Sequence, residues 1–321
     1  MVNATWRTFV GVGKETTPGT GVVPTHYIPV TDDPEFTDVI EYLHDEGMRG
    51  SAVKSYGVVP GPKNGEFTLK GNVDLKTIGF PLASVLPDVA TTGAGAPFTH
   101  TFSLLNTGTG QPKGYSYTDF NGTQARRHEF SVCDELTFTF DAEGLLEFEA
   151  SHLSQASATV ATPTASYSTY TPIANWKACA TIGGSASLEI QEGEVTISRE
   201  VELIRTLNCG SSDPYSIFSG VCMVEGKLTF VMEDEDELLR YLNNTQPILN
   251  LLFEHTASTD SLQLHMNKAA YTVGAVKRGE EFVQIEVEFY AVANSTDAGA
   301  SLGLSPIKVT LLNTDPAATY A

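Results

Sequence analysis

The chain of 321 residues is 41% hydrophobic, enough for a real core and for one large domain or two of about 150 residues each. Its 39 acidic and 19 basic residues leave a formal charge of −20, a balance that repels nucleic acid at long range and argues against conventional DNA or RNA binding. No basic and apolar leader opens the chain, and its most apolar stretch, TQPILNLLFEH at 245–255, is shorter than the ~18 residues a membrane span needs.

The first marked stretch is GVGKETTPGTG at 11–21. Read as a phosphate loop it fails at both ends, because Thr8 stands where the first glycine belongs and Glu15 follows Lys14 in place of Ser or Thr. Read as a dinucleotide fingerprint it fails at Thr16, and Pro18 precedes any helical pattern. Its glycines and Pro18 punctuate an extended arm that carries Trp6, with turns at Gly19 and Gly21 and with Lys14 against an acidic neighbour. A strand follows at 35–42 and a long Gly/Ser/Tyr loop at 44–64. Next comes NGEFTLKGNVDLKTIGFPLASVLPD at 64–88, a strand running into a helical stretch over 73–88 that Pro81 interrupts. DELTFTFD at 134–141 and GLLEFEASHL at 144–153 alternate apolar and polar residues at period two, as half-buried antiparallel strands do.

SQASATVATPTASYSTYTP at 154–172 is uncharged, carries Pro163 and Pro172, and reads as a linker. It divides the chain into a first domain at 1–158 with its N-terminal arm, a linker at 159–172, and a second domain at 173–321 with a C-terminal extension. The second half repeats the order of the first: an arm with Trp176, a strand at 194–204, a loop at 208–222, the strand GKLTFVM at 226–232, and the helix EDEDELLRYLNN at 233–244. The strand EFVQIEVEFYAVA at 281–293 closes it, as LEFEAS at 146–151 closes the first half. Gly65-Glu66-Phe67-Thr68-Leu69 matches Gly226-Lys227-Leu228-Thr229-Phe230 at an offset of 161, which sets Ile78 on Leu239 and Phe80 on Tyr241. The acidic run of the second helix suits the positive end of a helix dipole and lacks the glycine and spaced ligands of a calcium loop. The expected fold is therefore mainly β, two tandem domains each flanked by one short helix.

Catalytic signatures are missing: G-x-S-x-G, H-E-x-x-H and H-x-E with a downstream C-x-x-C do not occur. His26, His44, His100, His128, His152, His255 and His265 are scattered over strand edges and loops and read as structural. Cys133, Cys179, Cys209 and Cys222 lie far apart without ligand spacing and read as reduced and buried. Glu147 with Glu149, and Glu286 with Glu288, each share one strand face at about 7 Å, within reach of glycosidase geometry. The pattern occurs in both halves and suits any exposed strand face, so no catalytic residue, cofactor site or metal site is assigned.

GVGKETTPGTGVVPTHYIPVT at 11–31 resembles the N-terminal signature of major tail proteins, the tail tube proteins of long-tailed, siphovirus-type bacteriophages. The segment at 64–88 is similar to that family's strand and flanking helix, and LHMNKAAYTVGAVKRGEEFVQIEVEFYAVAN at 264–294 to its closing hairpin. The resemblance implies tail-tube-type β-sandwich or barrel domains that join edge strands with their neighbours, so that a ring forms one inner barrel. Rings stack into a tube, and DNA passes through the lumen without specific binding. A structural, non-enzymatic virion protein follows, assembled in the host cytoplasm and meeting a tape measure protein, a tail terminator and a distal tail protein. An acidic lumen keeps DNA moving, which nominates Glu147, Glu149, Glu286 and Glu288 as lumen-facing. The long loops, with Met48, Tyr56, Tyr215 and Phe218, are implied to pack against the adjacent ring. The repeat then favours a trimeric ring with pseudo-sixfold symmetry over a hexamer. The rival reading is a carbohydrate-binding, adhesin-like β-sandwich whose 12 tyrosines and two tryptophans are stacking platforms.

Overall fold

The computed structural model describes residues 4–31, 34–169, 172–207, 210–279 and 281–320 and is mainly β. In the first half the strands are β1 (Phe9–Lys14), β2 (His26–Ile28), β3 (Glu35–Asp45), β4 (Gly57–Asn72), β5 (Asp88–Thr92), β6 (Phe98–Ser103), β7 (Tyr115–Phe120), β8 (Ala125–Asp141), β9 (Glu147–Ser154) and β10 (Ala158–Val160). In the second half they are β11 (Cys179–Ile182), β12 (Ser185–Ser187), β13 (Ile190–Ile204), β14 (Ser216–Val231), β15 (Leu249–Glu254), β16 (Ser261–Met266), β17 (Ala269–Arg278), β18 (Val283–Ala291) and β19 (Lys308–Asn313). Helix α1 (Gly79–Val85) follows β4 and helix α2 (Asp236–Leu242) follows β14.

Eight strands pair antiparallel in the order β3-β4-β9-β8-β13-β14-β18-β17. Strand β8 bends out of this sheet: its first residues pair with β7, and Phe130 takes a left-handed φ of 50°. There β2-β1-β7-β8 forms a second layer, and β12-β11-β15-β16 forms its counterpart in the second half. The alternation that predicted half-buried strands has its cause in the core between the layers. Leu136, Phe138, Ala150, Val195, Ile197, Leu228, Phe230 and Val287 point into it from the long sheet. Each of these side chains larger than Ala150 contributes about 1.5–3 kcal/mol on burial.

The two halves repeat strand for strand, since β3-β4-β9-β8 matches β13-β14-β18-β17. Strands β4 and β14 both have 16 residues. The loops between the long strands, 46–56 and 205–215, are equal in length. Each loop is closed by a tyrosine, with Tyr56 N–H donating to the Asp45 carbonyl at 2.8 Å and Tyr215 N–H to the Ile204 carbonyl at 2.9 Å. Bulges fall at matching places, Ile40/Tyr42 on Arg199/Val201 and Cys133/Glu135 on Tyr271/Val273. The bulges and loops put the hairpin repeat at 159 residues, Tyr56 on Tyr215, and correct the offset of 161. The helices start 157 apart, so Ile78, which is buried, has no match in Leu239, which is 44% exposed. The loops are also shorter than 44–64 and 208–222, because the hairpin arms run on past the sheet. The helices are shorter than 73–88 and 233–244, and Pro81 sits in the first turn of α1, where a missing N–H costs nothing.

Strands of the two halves share both layers. β8 pairs with β13 from Asp141↔Glu192 to Glu135↔Ser198. On the other side β19 lies between β16 and β6, drawing the β5-β6 hairpin of the first half onto the second. The C-terminal segment then ends in a buried plug. Tyr320 packs against Phe80 and His100 at ring distances of 5.2 and 4.9 Å, and its hydroxyl donates to the Lys76 carbonyl at 2.7 Å. Tyr320→Ala removes a ring that is 1% exposed and is expected to cost about 3–5 kcal/mol, read as a fall in the urea midpoint at unchanged m-value.

Candidate functional site

Paired residues of an antiparallel sheet project to the same side, so the register fixes what the solvent face of the long sheet presents. One row across it reads Lys70, Glu149, Thr137, Thr196, Glu225, Tyr290. The next reads Asn72, Glu147, Thr139, Glu194, Lys227, Glu288. A third reads Asp141, Glu192, Thr229, Glu286. Glu147, Glu149, Glu286 and Glu288 thus share one face, opposite the core, and the seam between β8 and β13 runs through the middle of it. Sequence reasoning missed Glu135, Glu192, Glu194 and Glu225, which stand on the same face; their strands alternate as regularly, and only the pairing shows that all eight are neighbours.

Like charges crowd there. The Glu135 carboxyl is raised above the ordinary carboxylate range by desolvation and then by Asp134, Glu149, Glu225 and Glu194. Three lysines offset part of the crowding. Lys70 pairs with Glu149 at 3.0 Å, Lys227 with Glu286 at 3.0 Å, and Lys277 also bonds Glu286. Hydrogen bonds from Lys277 and Lys227 hold the Glu286 carboxyl below its usual value. Between the acids stand hydroxyls, with Thr137 and Thr196 hydrogen-bonded across the seam at 3.0 Å. A shallow concavity on the face is lined by Thr139, Asp141, Glu192, Glu194, Lys227 and Thr229, and no group of three or more His, Cys, Asp or Glu suited to a metal occurs among the described residues.

The long sheet ends in two strands paired on one side only, β3 and β17. Strand β3 exposes Val39, Ile40, Tyr42 and Leu43, and β17 exposes Val273. Unpaired N–H and C=O groups beside exposed apolar side chains are a template for another strand. The two hairpin loops lie at one end of the sheet, each with an exposed apolar residue. Met48 is 102% exposed and Leu207, its match at 159 residues, is 105% exposed. Of the loop residues singled out from sequence, Met48 lies in the loop, Tyr56 and Tyr215 are the closing residues, and Phe218 lies within β14. Leu207 was missed because only the repeat at 159 residues aligns it with Met48.

The glycine-rich arm is a structural joint. Glu15, 2% exposed, accepts hydrogen bonds from Ser116 Oγ at 2.7 Å, Phe130 N–H at 2.8 Å and Gly19 N–H at 2.7 Å, and so clamps the arm to the bend in β8. Gly19 has a φ of 79°, as the turn reading required, whereas Gly21 is small because Arg127 and Glu129 lie where a Cβ would go. Lys14 donates to the Ala318 carbonyl at 2.8 Å, tying the arm to the C-terminal plug. Cys133 is buried, Cys179 is exposed against expectation, and Cys209 lies outside the described residues.

In a comparison with known families, a family model described as phage tail tube protein matches residues 5–291. A search of curated proteins finds no match.

The crowding at Glu135 makes a checkable claim. A carboxyl raised in the folded state destabilises that state wherever both forms are ionised and contributes nothing below the unfolded value. Glu135→Gln is expected to raise stability at pH 7 by up to ~0.5 kcal/mol, small because the side chain is exposed, and to give no gain below about pH 3. Paired urea titrations at the two pH values measure it.

Proposed function

The chain belongs to the phage tail tube protein family and is a structural component of the virion tail; from that premise we propose that its copies close into rings by pairing β17 of one copy with β3 of the next, and that the rings stack into the DNA conduit. The observation that carries this reading is the seam inside the chain. β8 and β13 occupy, in the two halves, the places of β17 and β3, and they are already joined. Transferring their register by the bulge alignment sets Phe36 opposite Val276, Val39 opposite Val273 and Glu35 opposite Lys277. The pairs are complementary. Phe36 and Val276 are both half-buried against the core, Val39 and Val273 are both exposed, and Glu35 meets an opposite charge.

A head-to-tail joint of this kind closes only if the rotation per copy divides a full turn. Each half contributes four strands to the long sheet, so three copies give six such units, 24 strands, and a trimeric ring with pseudo-sixfold symmetry; a hexamer is the alternative. In that ring the acidic face with Glu147, Glu149, Glu286 and Glu288 lines the lumen, where a wall of carboxylates repels phosphate and lets DNA slide. The hairpin ends, with Met48, Leu207, Tyr56 and Tyr215, and Phe218 beside them, meet the adjacent ring as six nearly equivalent apolar contacts. A tape measure protein inside the tube, a tail terminator at one end and a distal tail protein at the other complete the assembly in the host cytoplasm.

Electron micrographs of concentrated protein are expected to contain rings and tubes with three chains per ring by mass; persistent monomers would remove the reading, and six chains would replace the trimer by the hexamer. Val39→Asp is expected to abolish rings while the isolated chain melts as before, and adding Val273→Lys is expected to restore them. Glu147→Lys with Glu149→Lys in phage particles is expected to leave tubes intact and slow DNA ejection, so ejection at the normal rate would take those residues out of the lumen.

A further inference from the structure

Strand β9 ends at Ser154, opposite Gly65, and leaves the first residues of β4 without a β9 partner. Arg205, Ser212 and Asp213 of the second half fill that gap. Lys63 N–H donates to the Ser212 carbonyl at 3.0 Å, and Lys63 Nζ lies 3.5 Å from Asp213. Arg205 donates to the Asn64 side-chain oxygen at 3.0 Å and to the Lys63 carbonyl at 3.3 Å. One half therefore clasps the other beside the seam that joins them.

The same gap exists in the second half and stays open. β18 covers β14 only from Glu225 onward. Gln111 bonds both backbone groups of Ser219, but beyond it Val221 and Met223, which take the places of Pro62 and Asn64, are 65% and 39% exposed. We infer that loop 46–56 of a neighbouring copy covers this patch, clasping Val221 and Met223 as loop 205–215 clasps Pro62 and Asn64. The occupant is set by the repeat. The two loops are equal in length and closed by the same tyrosine bond, and whatever copy pairs its β3 with β17 brings its own loop 46–56 to this side of β14. Chemistry changes with the surface. Val53, 56% exposed, replaces Ser212, whereas Glu46 and Lys54 replace Arg205 and Asp213 and pair with each other at 3.8 Å, leaving an apolar contact between Val53 and Val221. Met48 remains free for the adjacent ring. The clasp rests on the ring joint proposed above.

Two variants, Val53→Cys and Val221→Cys, each made with Cys179→Ser to silence an exposed native thiol and with Cys209→Ser, are mixed in equal amounts, assembled under reducing conditions and then oxidised. Disulfide-linked dimers are expected from the mixture and from neither variant alone. Rings without linked dimers overturn the clasp and leave the ring joint standing; a wild-type chain that forms no rings removes both. Val221→Asp with Met223→Asp is expected to raise the concentration for half-assembly about tenfold with the melt of the isolated chain unchanged. Assembly at the wild-type concentration with that variant also overturns the clasp.

Discussion

The seam between β8 and β13 is the constraint on which the rest of the molecule depends. It joins two four-stranded units into one sheet, makes the core continuous across the sequence repeat, and displaces the open edges to β3 and β17. An antiparallel seam with Val195 on Phe138 and Ile197 on Leu136 buries apolar pairs on one face and leaves Thr196, Thr137, Glu194 and Thr139 on the other. One set of backbone bonds thus serves the core and the charged face together. The strap formed by β19 and the Tyr320 plug braces the same junction from the outer layer, so the halves cannot part without opening both layers.

The acidic face is held at a cost in self-repulsion, which the sheet limits by composition. Each row places hydroxyl side chains between carboxylates, and the lysines stand beside the glutamates they neutralise. Glu135 is raised by desolvation and then by its acidic neighbours, while Glu286, bonded by two lysines, is lowered. A surface optimised for stability alone would balance these charges more fully. In the ring proposed above, the residual negative field suits a wall that must not hold a polyanion.

Much of this was legible in the sequence, because alternation reports which face a side chain takes. The glutamate pairs, the closing strands, the two helices and the halved organisation of elements all follow from period and order. What alternation does not report is slippage by two residues, which leaves every face unchanged. Gly65 and Gly226, whose match suggested 161 residues, are glycines for different reasons: His128 and Ser154 crowd the first, the Phe289 ring and the Glu194 carbonyl the second. Only the bulges and the closing tyrosines set the hairpins at 159. The contact of Lys14 with the Ala318 carbonyl was hidden for another reason, since it spans 304 residues to a segment with no pattern of its own.

Covalent repetition has a physical consequence for assembly. A ring of six single-domain subunits must form every joint between separate chains, each at the translational and rotational cost of association. A chain with two units in tandem forms alternate joints during folding, at the high effective concentration of its own linker, and leaves half of them to association. Selection then acts on the two kinds of joint separately. The internal clasp is polar, with Arg205, Asn64, Lys63 and Asp213 in ion pairs and hydrogen bonds, whereas the corresponding open surfaces present Val53, Val221 and Met223. A permanent internal joint gains from directional bonds that fix its geometry. A joint that must form between chains gains more from apolar area, which attracts from many approach angles and releases water on contact.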